Sequence, residues 1–304
     1  GVFNQINLET MVSSAGDYVI DKNNIVLLSN TKDIVLNKYR DTSFYELSTA
    51  SLFGNPVFYI NGNIKNDAIA AGNDIVNAFT NPVFAGTISQ LVGAEKEVKE
   101  LSKLLKLKGW QTDAYLNYAA TEKDVKKVES PRVLHIATHG FFMSDLPQWG
   151  ESDFGEINEN KSIENPLLRS GLLFSGGGDL LNAKTIYDLN SKNGILTAYE
   201  AMNLNLDNTE LVVLSACATG LGEVQTGEGV YGLQRAFLVA GANTVIMSLF
   251  KVSDDITKEL MTIFYRKWLA TGDKRQSLID AKKEIRAKYK YPYYWGGFVM
   301  IGMD

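Results

Sequence analysis

Leu211-Val-Val-Leu-Ser-Ala-Cys-Ala-Thr-Gly220 is an apolar run that stops abruptly at a reactive side chain close to a glycine. Upstream, Val133-Leu-His-Ile-Ala-Thr-His-Gly140 has the same form. Short, nearly all-apolar runs of this kind read as strands of a parallel sheet covered on both faces. The rest of the chain alternates accordingly. Strands are predicted over 57–60, 110–116, 132–138, 211–216, 244–250 and 298–301. Helices are predicted over 93–108, 229–240, 255–269 and 273–288, with another beginning after Thr121, a suitable N-cap. The helix over 93–108 is the clearest: Ala94, Val98, Leu101, Leu104 and Leu105 recur every three or four positions, and Gly109 ends it. Strands alternating with helices imply an α/β fold.

Two stretches depart from the alternation. The region 1–50 is irregular, with 18–28 reading as two short strands around an Asp21-Lys-Asn-Asn24 turn. Residues 141–196 form a long loop rich in Gly, Asn, Ser and acidic residues, of the length that is usually functional or mobile. It contains Ser175-Gly-Gly-Gly-Asp179, which is no phosphate loop because no Gly-Lys-Ser/Thr follows. The chain therefore divides into 1–50 and a main domain, 51–304. It has no internal repeat.

Bulk composition narrows the function. The 304 residues are 45% hydrophobic and 21% charged, ordinary for a globular protein. A net charge of −5 gives no electrostatic footprint for nucleic acid. No apolar run reaches the roughly 18 residues that span a bilayer. The N-terminus has no basic region followed by an apolar core, so no secretory signal is expected. Gly1 in place of Met reads as a processed or partial chain. One cysteine excludes an internal disulfide framework and fits a reducing, cytoplasmic compartment.

That cysteine, Cys217, and His139 each fall at or just past the carboxyl end of a predicted strand, where open parallel sheets bind ligands. Neighbouring strands lie about 4.8 Å apart, close enough for the two side chains to share a substrate. A thiol beside an imidazole is minimal equipment for nucleophilic cleavage of a peptide bond. The thiolate is the reactive form, and the imidazole favours it or protonates the leaving amine. Backbone N–H groups of Gly140 and Cys217 are candidates to bind the oxyanion. The other reading of a lone cysteine is a small buried hydrophobe. His135 reads as a structural histidine within its strand. His135, His139 and Cys217 together lack the usual zinc-ligand spacing, and no metal or other cofactor is expected. Ser215-Ala-Cys217-Ala-Thr219 lacks both glycines of an α/β-hydrolase elbow.

Several motifs together resemble the CHAT domain, a separase-related branch of the caspase-like (clan CD) cysteine peptidases. They are His-Ile-Ala-Thr-His-Gly (135–140), Asn-Pro-Leu-Leu-Arg-Ser-Gly-Leu (165–172) and Leu-Thr-Ala-Tyr-Glu (196–200), then the Ser-Ala-Cys stretch (211–222). The segments 227–242, Ser-Leu-Phe-Lys-Val-Ser-Asp-Asp (248–255) and Tyr-Trp-Gly-Gly-Phe (294–298) follow, and 91–98 resembles the family's early helix. The resemblance implies a caspase-like fold with a central, mostly parallel sheet of about six strands flanked by helices. The 1–50 region would add N-terminal strands, as a remnant of an inactive caspase-like unit. The resemblance implies a His139–Cys217 dyad and a cysteine endopeptidase acting on a protein substrate. It also places Asp254 where separase-like relatives receive a basic P1 side chain; the competing reading is a helix-start residue. Phe250 stands where many relatives carry Trp and would wall the same pocket. Members are often fused or bound to helical-repeat (TPR-like) modules and act in regulated proteolysis, including bacterial defence, so the 141–196 loop would serve as a switch. The alternative is an inactive scaffold that binds partners through the same cleft.

Overall fold

The computed structural model describes residues 6–36, 47–60, 88–142, 166–168, 170–181, 194–215, 227–250 and 252–302. In chain order the strands are β1 (Thr49–Gly54), β2 (Gln111–Leu116), β3 (Val133–Ala137), β4 (Gly140–Phe142) and β5 (Ser170–Leu173), then β6 (Ile195–Thr197), β7 (Leu211–Leu214), β8 (Thr244–Ser248) and β9 (Phe298–Gly302). The long helices are α1 (Val92–Leu107), α2 (Gly227–Val239), α3 (Asp254–Thr271) and α4 (Lys274–Lys288).

Six strands form the central sheet in the order β2-β1-β3-β7-β8-β9. All pairings are parallel except β8 with β9. The alternation of side chains along each strand splits the core in two. Leu52, Val133, Val213, Ile246 and Met300 face α1, α3 and α4. Phe53, Leu134, Ile136, Val212 and Val245 face the side of Leu233 and Phe237 on α2. This is the mostly parallel, helix-flanked sheet that the alternating pattern implied. α1 can lie close over β1 because Gly54 has no side chain: a Cβ there would sit 2.7 Å from Val98 Cγ2 and 3.0 Å from the Ala94 carbonyl.

Three local expectations differ from what is observed. The first strand is 49–54, not 57–60. Both runs are apolar, but Phe58 turns under a second, smaller sheet. The Val57 and Phe58 carbonyls accept hydrogen bonds from Gly176 (3.0 Å) and Gly178 (2.8 Å), not from a strand. Next, 18–28 is not a strand pair. Val19–Lys22 is a helical turn that buries Ile20, and only Leu27 bridges to β9, at Ile301. Asp21 pairs with Arg286, whose hydrogen bond holds the Asp21 carboxyl below its ordinary pKa. Finally, the described parts of 141–196 are not loop alone. β5 and β6 join β4 in an antiparallel sheet, with Leu172 and Leu196 fully buried. The buried Glu122 carboxylate holds the start of β6 by accepting from the N–H groups of Gly194 (2.6 Å) and Ile195 (3.1 Å).

The N-terminal segment is a strap along the β9 edge. Asn7 donates to the carbonyls of Gly296 (2.9 Å) and Phe298 (3.3 Å), and Glu9 pairs with the fully buried Lys282.

Leu101 is fully buried between α1 and the sheet. Leu101→Ala is expected to lower unfolding free energy by about 2–5 kcal/mol, measured by chemical denaturation.

Candidate active site

His139 follows β3, Phe250 and Asp254 follow β8, and Cys217 follows β7 in the sequence. β3 and β7 are direct neighbours at the centre of the sheet. Val133 pairs with Leu211 and Ile136 with Leu214, an offset of 78 positions. The same 78 positions separate His139 from Cys217 in the sequence. The ladder continues to Ser215, whose N–H donates to the Ile136 carbonyl at 2.9 Å. Cys217 itself lies outside the described residues.

His139 follows β3 and is 6% exposed. Its ring packs on Phe58, with centroids 5.1 Å apart. Nε2 donates to the Ser89 carbonyl at 2.9 Å. In the neutral ring that bond leaves Nδ1 as the acceptor nitrogen. Just before it, Thr138 donates its hydroxyl to the Leu173 carbonyl, tying the end of β3 to the small sheet.

Gly140 opens β4. The Leu173 N–H bonds the His139 carbonyl at 2.9 Å, while Gly140 lies opposite Leu172. In an antiparallel ladder this makes Gly140–Leu172 a non-hydrogen-bonded pair. The Gly140 N–H therefore takes no part in the β4–β5 ladder and points away from β5.

The approach to α1 links these groups to Asp254. Ser89 holds His139, and Gly93, four residues on, abuts Asp254: a Cβ on Gly93 would lie 2.2 Å from Asp254 Cβ. Four residues of chain reach at most about 14 Å. Asp254 is exposed and opens α3, whose cap position is Ser253. Among the described residues it has no ion-pair partner. Phe250 is half-buried and stacks on Tyr293, with centroids 5.9 Å apart at 18°. Three residues after Tyr293, Gly296 is approached closely by Thr10 and accepts a hydrogen bond from Asn7 of the N-terminal strap.

His135 sits apart from this rim, fully buried, with Tyr265 at Nδ1 (3.1 Å) and Glu97 at Nε2 (2.9 Å). With both ring nitrogens engaged inside the core, His135 is not available as a metal ligand.

Sequence reasoning missed the residues that hold the site in shape. The Ser89 carbonyl has no signature in sequence. Asn55, just past β1, has φ of 49° and is 4% exposed. Its side chain accepts from the Leu91 N–H (2.7 Å) and donates toward Glu95 (3.2 Å) and Asn117 (2.9 Å). The Gly54-Asn55-Pro56 run was the available signal, since Asn is among the few side chains that tolerate positive φ.

A mostly parallel sheet with a carbonyl-oriented histidine at its carboxyl edge, backed by a small antiparallel sheet, is a caspase-like, peptidase-related α/β architecture. The chain matches the CHAT domain over residues 1–303, and it belongs to that family. Human tetratricopeptide repeat protein 28 is 29% identical over 219 residues, covering 69% of this chain and 8% of the human protein. Mouse tetratricopeptide repeat protein 28 is 36% identical over 112 residues, covering 36% of this chain and 4% of the mouse protein. The chain thus spans less than a tenth of the length of these curated relatives. Among the described residues, no helix is long and apolar enough to cross a membrane.

Asn55→Ala leaves the Leu91 N–H without its partner and puts a Cβ-only side chain at positive φ. The expected cost is about 1–3 kcal/mol in denaturation. The His139 ring resonances should also move in NMR spectra, because the segment carrying Ser89 loses its anchor.

Proposed function

We propose that the chain is a cysteine endopeptidase in which Cys217 is the nucleophile and His139 its acid–base partner. The observation that carries this reading is the β3–β7 register, whose offset equals the spacing of the two residues. In the proposed reaction the Cys217 thiolate attacks the scissile carbonyl carbon. A C–S bond forms, and the carbonyl electron pair moves to oxygen. The Gly140 and Cys217 N–H groups bind that oxyanion. His139, protonated at Nδ1, gives this proton to the leaving amine as the C–N bond breaks. A water then attacks the acyl-enzyme, His139 takes its proton, and the thiolate departs. The Ser89 carbonyl acts as the orienting third group: it keeps Nε2 protonated and stabilises the imidazolium.

For specificity we propose a basic P1 residue. Asp254 is an exposed carboxylate without an ion-pair partner among the described residues, tethered to the His139 rim through 89–93. Phe250 offers a flat wall for the aliphatic stem of Arg or Lys. Helix-dipole stabilisation at the start of α3 accounts for Asp254 equally well in energy, but it does not require the residue to face this rim. Control by an attached or bound helical-repeat module is supported by the names of both relatives.

Cys217→Ala is expected to abolish cleavage of a denatured-protein or peptide-library substrate with the melting temperature unchanged. His139→Ala should lower the rate by at least about 10²-fold. Cleavage that survives Cys217→Ala contradicts the mechanism. With peptides differing only at P1, Arg and Lys should be cut fastest, and Asp254→Asn should reduce those rates while sparing Met at P1. Equal rates for Arg, Met and Asp in the unaltered chain contradict the basic pocket.

A further inference from the structure

α1 turns one carboxylate into the core. Glu97 is 2% exposed, and its two oxygens are divided between two strands. Oε1 lies 2.9 Å from His135 Nε2 on β3, and Oε2 accepts from the Ser215 hydroxyl at 3.2 Å, at the end of β7. On the far side of the imidazole, Tyr265 of α3 meets Nδ1 at 3.1 Å. Burial, reinforced by the Glu97 charge, holds the Tyr265 phenol well above its usual pKa, so it keeps its proton and acts as donor. One assignment then satisfies every group: Tyr265 donates to Nδ1, Nε2–H donates to Glu97, and Ser215 donates to the second oxygen.

This polar island is set in an apolar core that includes Leu101, Val213, Leu260 and Ile246. Apolar side chains of similar volume often fill such places at equal or lower free energy. What the island adds is a directional bond to Ser215. That residue is already tied through its backbone to Ile136, so both its main chain and its side chain are held. Ser215 precedes Cys217 by two residues, and two residues of chain reach at most about 7 Å.

We propose that Glu97 is a positioning residue for the Cys217 thiol: by gripping the Ser215 hydroxyl from α1, it fixes how the chain departs from β7 toward the nucleophile. The proposal rests on Cys217 being the nucleophile paired with His139, but its test needs no peptidase activity.

The chain has one cysteine, so alkylation by iodoacetamide followed by intact mass reports Cys217 alone. The rate is measured from pH 5 to 10 for the unaltered chain, Glu97→Gln, Ser215→Ala and Ser215→Thr, each checked for native circular dichroism. The unaltered chain should react well below the range of a plain thiol, whose pKa is about 8.5. Glu97→Gln and Ser215→Ala should shift toward the plain-thiol profile and react at least about tenfold more slowly at pH 6.5. Ser215→Thr keeps the hydroxyl and should restore the original profile. Ser215→Ala leaves the Glu97–His135 pair in place, so it keeps the test decisive where Glu97→Gln fails to fold. Folded Ser215→Ala with an unchanged profile overturns the positioning role. A plain-thiol profile in the unaltered chain, which Ser215→Ala does not alter, contradicts the dyad and takes this proposal with it.

Discussion

The parallel pairing of β3 with β7 is the constraint on which the rest depends. Both strands are buried on both faces, so nearly every position is apolar: Val133, Leu134, Ile136 and Ala137 on one, Leu211 to Leu214 on the other, with the hydrogen-bonded His135 as the one polar exception. Being parallel, they finish on the same edge of the sheet. Polar and reactive residues then follow each strand together, where apolar burial ends. β1 and β8 flank the pair and bring Asn55 and Phe250 to the same edge.

α1 and the segment before it line that edge. The helix lies close to the sheet because Gly54 admits it. Its approach orients His139 through the Ser89 carbonyl, its first turn abuts Asp254 at Gly93, and its second turn reaches His135 and Ser215 through Glu97. The helix and the segment leading into it thus touch the proposed base, the proposed specificity residue and the residue that follows β7. These contacts differ in kind. The carbonyl supplies orientation, the glycine supplies room, and the buried carboxylate supplies direction at a cost in desolvation.

The fold was legible because it rests on period and composition. Apolar runs such as 211–214 and the amphipathic spacing of Val98, Leu101 and Leu105 carry their structure in the chain itself. The misread elements were those decided by tertiary competition. Residues 57–60 look as strand-like as 49–54, but Phe58 is claimed by the small sheet and by the His139 ring. Val19–Lys22 coils because Ile20 and Asp21 find partners on α4 and its surroundings, which no local pattern announces. The site divides the same way. His139 stood out as a histidine at a strand's end. Its partner at Ser89 is a backbone oxygen, which any residue type supplies. Glu97 reads as one more charge on an amphipathic helix until the fold buries it beside His135.

The central claim is that the Cys217 thiol is chemically paired with His139 and open to a peptide carrying a basic P1 residue. Its most direct test is the covalent labelling rate with a peptidyl acyloxymethyl ketone bearing Arg at P1, followed by intact mass, for the unaltered chain and for His139→Ala. Rapid, saturable, single-site labelling at Cys217 that collapses on loss of His139 is expected. Labelling that is slow, unsaturable and equal in the two proteins would contradict the claim and leave a caspase-like scaffold without peptidase chemistry.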